Sequence, residues 1–554
     1  METIRISKLL SYQGIGSIVN LVDNGSVIIA GINHWNDVYY KLKEKVNDYV
    51  IHNERLEIVL DIKEIRKPLN LTDRDKLFKY IPAFRFPLWY YCPLCGKMKK
   101  LSYSTRKVPY CDNTDHSNKV KIIPIWFVLV CNRGHIKDFP FEEFVSHNGD
   151  CEKKDIYFET SKISSSTSNF YVKCKKCNTR NNLPRFSEEI FDCDGSMPWI
   201  GSDNYKAKCQ SKMRIIPIHS SSLYSSIVVK ALLLKKSENC KEEIYVKERY
   251  NSLITMDRQF LDSIVKMENF DVKKFNHYLV SYCQEDYNAK LFSEEYEVLS
   301  STYNYSDNFI TVLTQDFHRS KALNHYFKVI NMIPSLTETI VFRGFSRIDK
   351  SSEHLIDYNK KYKWLPGTEL YGEGIFIELN QELLCNFFES FCLNTGINIS
   401  ISDFSLFVIH SLSHTLIKEL CKESGYLISE IREKIYVSIN PNTDIINESG
   451  LLLYVTGSDR FGTLGGLCQL AIPEKFEKIL INALINILHC TADPFCINQE
   501  IKDNDKKKYV NGSSCHHCMY IPETSCSMNN TFLDRSLLIG SEIKNIKGFF
   551  ENLI

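Results

Sequence analysis

The amino-acid sequence predicts a multidomain α+β protein. We expect zinc-ribbon-like modules in the N-terminal half, a helical middle, and an α/β C-terminal domain with a four-cysteine zinc site. Three observations lead to this prediction: short apolar runs typical of strands near the start, longer stretches with helical spacing further on, and cysteines paired two residues apart. At roughly 100–200 residues per domain, the 554 residues indicate about three or four domains.

Four regions follow one another along the chain. Residues 1–90 carry strand-like runs such as "GSVIIAGI" and form a β-rich segment. Residues 91–215 hold nine cysteines between short strands, which predicts a zinc-binding region with two cysteine clusters. Residues 216–400 have few cysteines and patterns such as "QFLDSIVKMENF", so we expect a mostly helical region. Residues 401–554 combine a strong helix, a glycine-rich loop and a terminal cysteine cluster.

Composition limits the possible classes of function. The formal net charge is +1, so any nucleic-acid binding must use local basic patches instead of a global field. The first residues lack the apolar core of a signal peptide, and the apolar runs fall short of the ~20 residues that span a bilayer. We therefore expect a cytoplasmic protein, in which clustered cysteines among the 20 of the chain bind metal more often than they form disulfides.

The first cysteine set begins with the knuckle "YYCPLCGKM", in which Gly96 favours a tight turn that aims two sulfurs at one point. Zinc takes four nitrogen or sulfur ligands in a tetrahedron. The ligands that we predict are Cys92, Cys95, Cys111 and Cys131. Spacing alone leaves His116 and His135 as alternatives for the fourth position.

The second set has the most regular spacing. Its knuckle lies in "VKCKKCNTR", and two further cysteines follow, each after 15 residues. The ligands that we predict are Cys174, Cys177, Cys193 and Cys209. This arrangement favours a structural zinc ion.

The third set lies in "SSCHHCMYIPETSC", with one ligand expected from "HCTADPFCIN" upstream. The ligands that we predict are Cys496, Cys515, Cys518 and Cys526. Cys490 is the alternative to Cys496, and we prefer Cys496 because the Asp-Pro turn before it ends the preceding helix. Four cysteines leave no open position for catalysis. His516 and His517, between the knuckle cysteines, are expected to point away from the metal.

One predicted helix, "SLFVIHSLSHTLIKEL" at 405–420, places His410, His414 and Lys418 on a single face at i, i+4 and i+8. Three interpretations stay open: a polar stripe packed against another domain or a partner, a metal site, or an anion or nucleic-acid contact. The glutamate of H-E-x-x-H is missing. A nuclease or hydrolase that uses His410, His414 and Asp459 with a loosely held metal is the rival hypothesis.

The glycine loop "LLLYVTGSDRFGTLGGL" at 451–467 spaces Gly457 and Gly462 as in a phosphate-binding loop, but Thr463 stands where that loop needs lysine. We therefore expect no ATP-driven motor in this chain.

Short basic runs at 97–100, 173–180 and 212–214 could contact phosphates. Such contacts give affinity without reading sequence.

Several motifs in order carry a resemblance to a known family. They are "ISKLLSYQGIGSIVNLVDNGSVIIAGINHW", "RFPLWYYCPLCG", "CNRGHIKDFPFEEFVSH", "CDGSMPWIG" and "CTADPFC…SSCHHCMYIPETSC…NNTFLDR". Together they resemble the DrmB family of the bacterial DISARM anti-phage defence system. Residues 401–554 are also similar to the C-terminal domain of MrfA-type repair helicases.

The resemblance implies a function. It maps a four-cysteine zinc site onto Cys496, Cys515, Cys518 and Cys526, and it implies a non-catalytic subunit that partners a separate SNF2-like helicase, DrmA, and helps to engage DNA. A metal-dependent enzyme built on His410 and His414 is the alternative. A protein-only scaffold without nucleic-acid contact is the second alternative.

Overall fold

A computed structural model describes most of the chain. The described residues are 4, 6–21, 25–41, 43–69, 80–105, 107–145, 151, 155–160, 170–186, 188–201, 207–235, 241–253, 256, 258–270, 275, 287–356, 361–439, 446–457, 465–504 and 508–554. Asp459, Gly462 and Thr463 of the glycine loop lie outside these residues. The mixed α+β class predicted from the sequence is confirmed.

The chain divides into two compact units. The first contains Met1–Lys230 and Ile340–Thr368, and the second contains Ala231–Thr339 and Glu369–Ile554. The described α-helices are Ile6–Leu9, Ile32–Lys41, Glu54–Leu60, Phe141–Phe144, Lys241–Leu253, Arg258–Met267, Tyr287–Leu299, Lys321–Tyr326, Gln381–Thr395, Ile401–Ser424, Pro473–Ile487 and Ser536–Ile539.

Short strands of two to eight residues prevail in the first unit. They are Ile18–Leu21, Gly25–Ile29, Val50–Ile51, Glu64–Arg66, Ala83–Arg85, Trp89–Tyr91, Met98–Lys100, Ile123–Pro124, Phe127–Cys131, Ile136–Lys137, Ile156–Thr160, Phe170–Cys174, Arg180–Asn182, Phe191–Asp192, Lys212–Pro217, Ser225–Leu232 and Asp349–Leu355. Strand Phe127–Cys131 is buried throughout, as its continuous apolar run predicts. It lies between Ile136–Lys137 and Lys212–Pro217 in a four-stranded sheet.

Much longer strands occur in the second unit. The strands that contribute to it are Tyr305–Ser306, Thr311–Thr314, Phe327–Arg347, Trp364–Leu379, Arg432–Ile439, Ile446–Gly457, Lys502–Asn504 and Lys508–Val510. Phe327–Arg347 and Trp364–Leu379 fall inside the middle region that we expected to be mostly helical. Their burial is nearly continuous, so they lack the alternation by which an exposed strand is recognised.

The core of the second unit is built around helix Ile401–Ser424. Ser400 caps its first turn by accepting a hydrogen bond from the Asp403 backbone N–H (3.1 Å), and Gly425 ends it in the left-handed conformation (φ 78°). Both ends are thus encoded locally. The helix is buried on almost every side against the sheet and helix Pro473–Ile487. A helix buried in this way can hold polar side chains only if other groups satisfy them.

No helix in the described part of the chain is both long enough and apolar enough to cross a lipid bilayer.

Candidate metal centres

Cysteine, histidine and glutamate side chains meet in five clusters. Within each cluster the possible ligand atoms lie within 4.8 Å of one another. Ligands at the usual zinc distances of about 2.0–2.3 Å are separated by roughly 3.3–3.8 Å in a tetrahedron. The clusters, numbered first to fifth, are Cys92/Cys95/Cys111/His116; Cys131/His135/Cys193/Cys209; Cys151/Cys174/Cys177; Cys490/Cys496/Cys515/Cys518; and His410/His414/Glu433/Cys526.

The first cluster is formed around a turn between two short strands. The Gly96 N–H donates to the Cys92 carbonyl (2.8 Å), and Gly96 has φ +75° with the Phe158 carbonyl oxygen directly against the place where a Cβ would lie. Only glycine fits this position without displacing backbone. The sulfurs of Cys95 and Cys111 are 3.8 Å apart.

His116 completes the first cluster, with its Nε2 3.4 Å from the Cys92 sulfur. The predicted fourth member, Cys131, belongs to the second cluster instead. The grouping is therefore corrected to the histidine alternative. Three ligands were identified from spacing, whereas the fourth depended on how the loop between Cys111 and His116 folds back.

The second cluster is formed by long-range strand pairing. Strand Phe127–Cys131 pairs with Lys212–Pro217, so that Cys131 faces Met213, and Phe191–Asp192 pairs with the same partner. The cysteines at 193 and 209 therefore arrive beside the cysteine at 131. Nδ1 of His135 lies 3.5 Å from the Cys131 sulfur and 3.6 Å from the Cys193 sulfur.

The third cluster contains the knuckle that we had joined to Cys193 and Cys209. Cys174 and Cys177 lie instead with Cys151, whose sulfur is 3.9 Å from that of Cys174. The predicted second set is thus divided between two clusters. Equal spacing of 15 residues in the sequence had no structural meaning, because the intervening strands belong to different sheets.

The fourth cluster is the four-cysteine site near the end of the chain. Its sulfurs lie 3.4 Å apart for Cys490 and Cys515, 3.6 Å for Cys496 and Cys518, and 3.7 Å for Cys515 and Cys518. These separations match a tetrahedron of thiolates. Cys490 and Cys496, which we treated as alternatives, are both members, and Cys526 is not.

The fifth cluster contains Cys526 together with the two histidines of the long helix. Nε2 of His410 lies 3.3 Å from the Cys526 sulfur and 3.0 Å from Glu433 Oε1. Nε2 of His414 is 3.7 Å from Glu433 Oε2. The histidine and glutamate side chains are completely inaccessible to solvent. Glu433 was missed because its strand gives no motif-like spacing to the histidines.

Each cluster with four members contains one cysteine whose thiol pKa is lowered. Burial raises the pKa of Cys95, but hydrogen bonds from the Lys97 backbone and Asn113 outweigh it and lower the pKa to about 7. The pKa of Cys515 is lowered to about 7 by the backbone of Cys518 and the Cys490 thiol, again against burial. The pKa values of Cys209 and Cys526 shift in the same direction. In each of these clusters one thiol is thus favoured as thiolate, the form that binds metal, whereas burial raises the pKa of other members such as Cys111 and Cys193.

The polar stripe of the long helix contacts the C-terminal cysteine segment. Nδ1 of His414 is 3.0 Å from the Met519 carbonyl oxygen, and Lys418 Nζ donates to the Cys518 carbonyl (2.7 Å). The packing interpretation of the stripe thus fits its position.

The nuclease or hydrolase hypothesis fits poorly, because His410 and His414 are buried and cannot reach a polymer. His516 and His517 are exposed and belong to none of the five clusters.

The three basic runs differ in their surroundings. In 97–100, Lys97 forms an ion pair with Asp112 (2.9 Å), and in 212–214 Lys212 forms one with Asp192 (2.6 Å). In 173–180 the cations lie over aromatic rings, with Lys175 4.0 Å from the Tyr157 centroid and Arg180 3.4 Å from the Tyr171 centroid. Within the described residues, the cations of 173–180 form no ion pair, although the Tyr171 hydroxyl donates to the nearby carboxylate of Glu159 (2.7 Å).

The chain is similar to one family model and to one known protein. A family model described as a domain of unknown function (DUF8724) matches residues 5–225. A protein of Bacillus paralicheniformis called "DISARM protein DrmB" is 26% identical over 591 aligned positions, which cover 96% of this chain and 99% of that protein. This similarity over nearly the full length of both proteins supports membership of the chain in the DrmB family.

Proposed function

We propose that the chain is a non-catalytic zinc-binding subunit of a bacterial DISARM anti-phage defence complex in the cytoplasm. The observation that carries this proposal is the full-length similarity to a DISARM protein called DrmB. The cysteine clusters support the zinc part, because groups of three or four thiols and imidazoles at tetrahedral separations suit zinc best among the common metals.

The proposed partner is a SNF2-like helicase, DrmA, which supplies the motor. The chain itself contributes surfaces held in place by zinc, since a bound metal stabilises loops that a small core could not order. Co-expression of the two proteins followed by size exclusion tests this pairing. A stoichiometric complex is expected, and two separate peaks at micromolar concentration would contradict the partnership.

The proposed DNA contact is the basic run 173–180. Lys175, Lys176 and Arg180 are exposed, and no ion pair engages them within the described residues. Tyr171, half-buried beneath Arg180, adds an aromatic ring to this surface, and such rings are platforms on which bases stack. Exposed cationic side chains around a ring suit the phosphates and bases of a single strand.

A mobility-shift titration with the helicase complex tests the DNA contact. Replacement of Lys175, Lys176 and Arg180 by alanine is expected to weaken DNA binding and to reduce the salt slope by about 0.7–0.9 for each phosphate that the protein no longer neutralises. Lys212→Ala is the matched control, because Asp192 already neutralises this lysine. Equal binding by the triple variant and the control would rule out this surface.

A further inference from the structure

The cluster of His410, His414, Glu433 and Cys526 stands apart from the cysteine clusters. It combines nitrogen, oxygen and sulfur donors, and it lies in the interior of the second unit. We propose that it is a separate, closed binding site for one divalent transition-metal ion of the zinc class. This site does not depend on the proposed role in defence, since it rests on the donor geometry alone.

The geometry around His414 carries the argument. Its Nδ1 lies 3.0 Å from the Met519 carbonyl oxygen, which can only accept, so Nδ1 must hold the proton. In the neutral imidazole, Nε2 therefore presents a lone pair. Among the described residues this buried Nε2 has no hydrogen-bond partner, although it faces the other three donors. A buried lone pair without a partner is costly, and a metal ion at the centre of the cluster would satisfy it.

The other donors converge on the same centre. Nε2 of His410 is within 3.0 Å of Glu433 Oε1 and 3.3 Å of the Cys526 sulfur. These distances are close to those between ligands around a single tetrahedral ion. The formal charges also balance, because one thiolate and one carboxylate supply two negative charges and the imidazoles are neutral. A divalent ion would make the buried site electrically neutral, which burial favours.

Further hydrogen bonds hold two of the donors in place. The Cys526 sulfur accepts from the backbone N–H groups of Met528 (3.3 Å) and Asn530 (3.2 Å). Glu433 accepts from the Ser527 backbone N–H (2.9 Å) and from the Ser413 hydroxyl. Such outer contacts orient ligands in metal proteins. Two backbone N–H groups on one sulfur favour the thiolate over the thiol.

The position of the site indicates its role. Its ligands come from helix Ile401–Ser424, strand Arg432–Ile439 and the segment that carries Cys526. With four ligands and no solvent access, it has no position for a substrate. The ion would therefore fasten the terminal segment to the helix and the sheet. It would hold this segment independently of the four-cysteine cluster.

Metal analysis of the purified full-length chain tests the proposal. Cys526→Ser and Glu433→Gln keep the size of the side chains and are each expected to lower the bound metal by one ion per chain. His516→Ala is the matched control, because this histidine is exposed between two cluster cysteines, and it should retain the wild-type content. Unchanged metal content in both cluster variants would overturn the proposal.

A measurement on the unmodified chain covers the case in which these variants do not fold. An anomalous difference map at the zinc absorption edge should contain a peak between His410 Nε2, His414 Nε2, Glu433 and Cys526. Peaks at the cysteine clusters without one here would mean that the four side chains form a proton-linked network only, and the proposed site would be rejected.

Discussion

The first cluster, in the first unit, and the fourth and fifth clusters, in the second, differ in how much core surrounds them. Around the first cluster the buried apolar side chains are few, namely Tyr90, Cys92, Leu101, Val108 and Ile122. The fourth and fifth clusters adjoin an extensive core that includes Leu412, Leu416 and Leu480. Metal in the first cluster would replace a missing core, whereas metal in the fourth and fifth clusters would attach a segment to an existing one. Three experiments can test this difference, and a fourth concerns a buried carboxyl group of the first unit. Their expected effects range from local unfolding to a change of stability with pH.

Loss of metal from the first cluster should unfold its surroundings. Structural zinc supplies about 10–16 kcal/mol in small zinc-dependent domains, which is as much as the whole stability of a typical domain. Cys92→Ser is therefore expected to abolish protection from hydrogen–deuterium exchange across strands Trp89–Tyr91 and Met98–Lys100. Cys385→Ser, at a half-buried cysteine outside the five clusters, is the control. Retained protection in Cys92→Ser would mean that the small core suffices.

Loss of metal from the fourth cluster should have a smaller and local effect. Cys490→Ser is expected to remove one ion and to cost about 3 kcal/mol, the upper end of ordinary substitutions, because the core remains in place. Faster exchange should be confined to the segments that carry Cys496, Cys515 and Cys518, while helix Ile401–Ser424 stays protected. Global unfolding of the second unit would contradict the expected difference between the first and the fourth cluster.

Two glycine substitutions test the same difference between the two units without replacing a ligand residue. Gly96→Ala must place its Cβ against the Phe158 carbonyl oxygen at φ +75°, whereas Gly425 in the second unit has φ +78° with nothing within 4 Å. The left-handed conformation alone costs about 1–2 kcal/mol. Urea denaturation should therefore show a larger loss of unfolding free energy for Gly96→Ala than for Gly425→Ala. Equal losses would indicate that the first cluster tolerates movement of its turn.

The smallest effect concerns a carboxyl group of the first unit. Burial raises the pKa of Asp138 from 3.8 to about 6, although the Leu88 backbone N–H, which donates to Oδ1 (2.9 Å), opposes this. Between about pH 4 and 6, Asp138 therefore binds more protons in the folded state than in the unfolded state. The stability that this group contributes to the fold is lost as the pH rises through that window.

Asp138→Asn lacks this titration. Relative to the variant, the wild type should lose about 2 kcal/mol of unfolding free energy between pH 4 and pH 7. Urea midpoints of both chains at a series of pH values measure the difference, in which effects common to both chains cancel. A difference that does not change with pH would show that Asp138 keeps an ordinary pKa.

Local features of the fold and of the clusters could be predicted from the sequence, and long-range ones could not. The knuckles Cys92/Cys95, Cys174/Cys177 and Cys515/Cys518 were recognised because a two-residue spacing and a turn define them. The fourth ligands were misassigned because contacts beyond the knuckles decide them. Strand pairing places Cys131 beside Met213 and thus in the second cluster, and Cys526 lies with the histidines of the long helix.

Helix Ile401–Ser424 was identified from its periodicity, since its capping residues and its apolar spacing agree. Strands Phe327–Arg347 and Trp364–Leu379 were not, because continuous burial removes the alternation that marks a strand. Glu433 was missed for a related reason. The sequence of a strand does not indicate which helix will pack against it.

The order of the ligands along the chain has a consequence for folding. Cys151, Cys174 and Cys177 lie between His135 and Cys193, two members of the second cluster that are 58 positions apart. The first cluster instead joins Cys92 to His116 over 24 positions. Loop closure costs more entropy as the enclosed chain lengthens, and distant contacts form more slowly. The first cluster should therefore form early in folding. The second cluster should form only after the strands between His135 and Cys193 have paired.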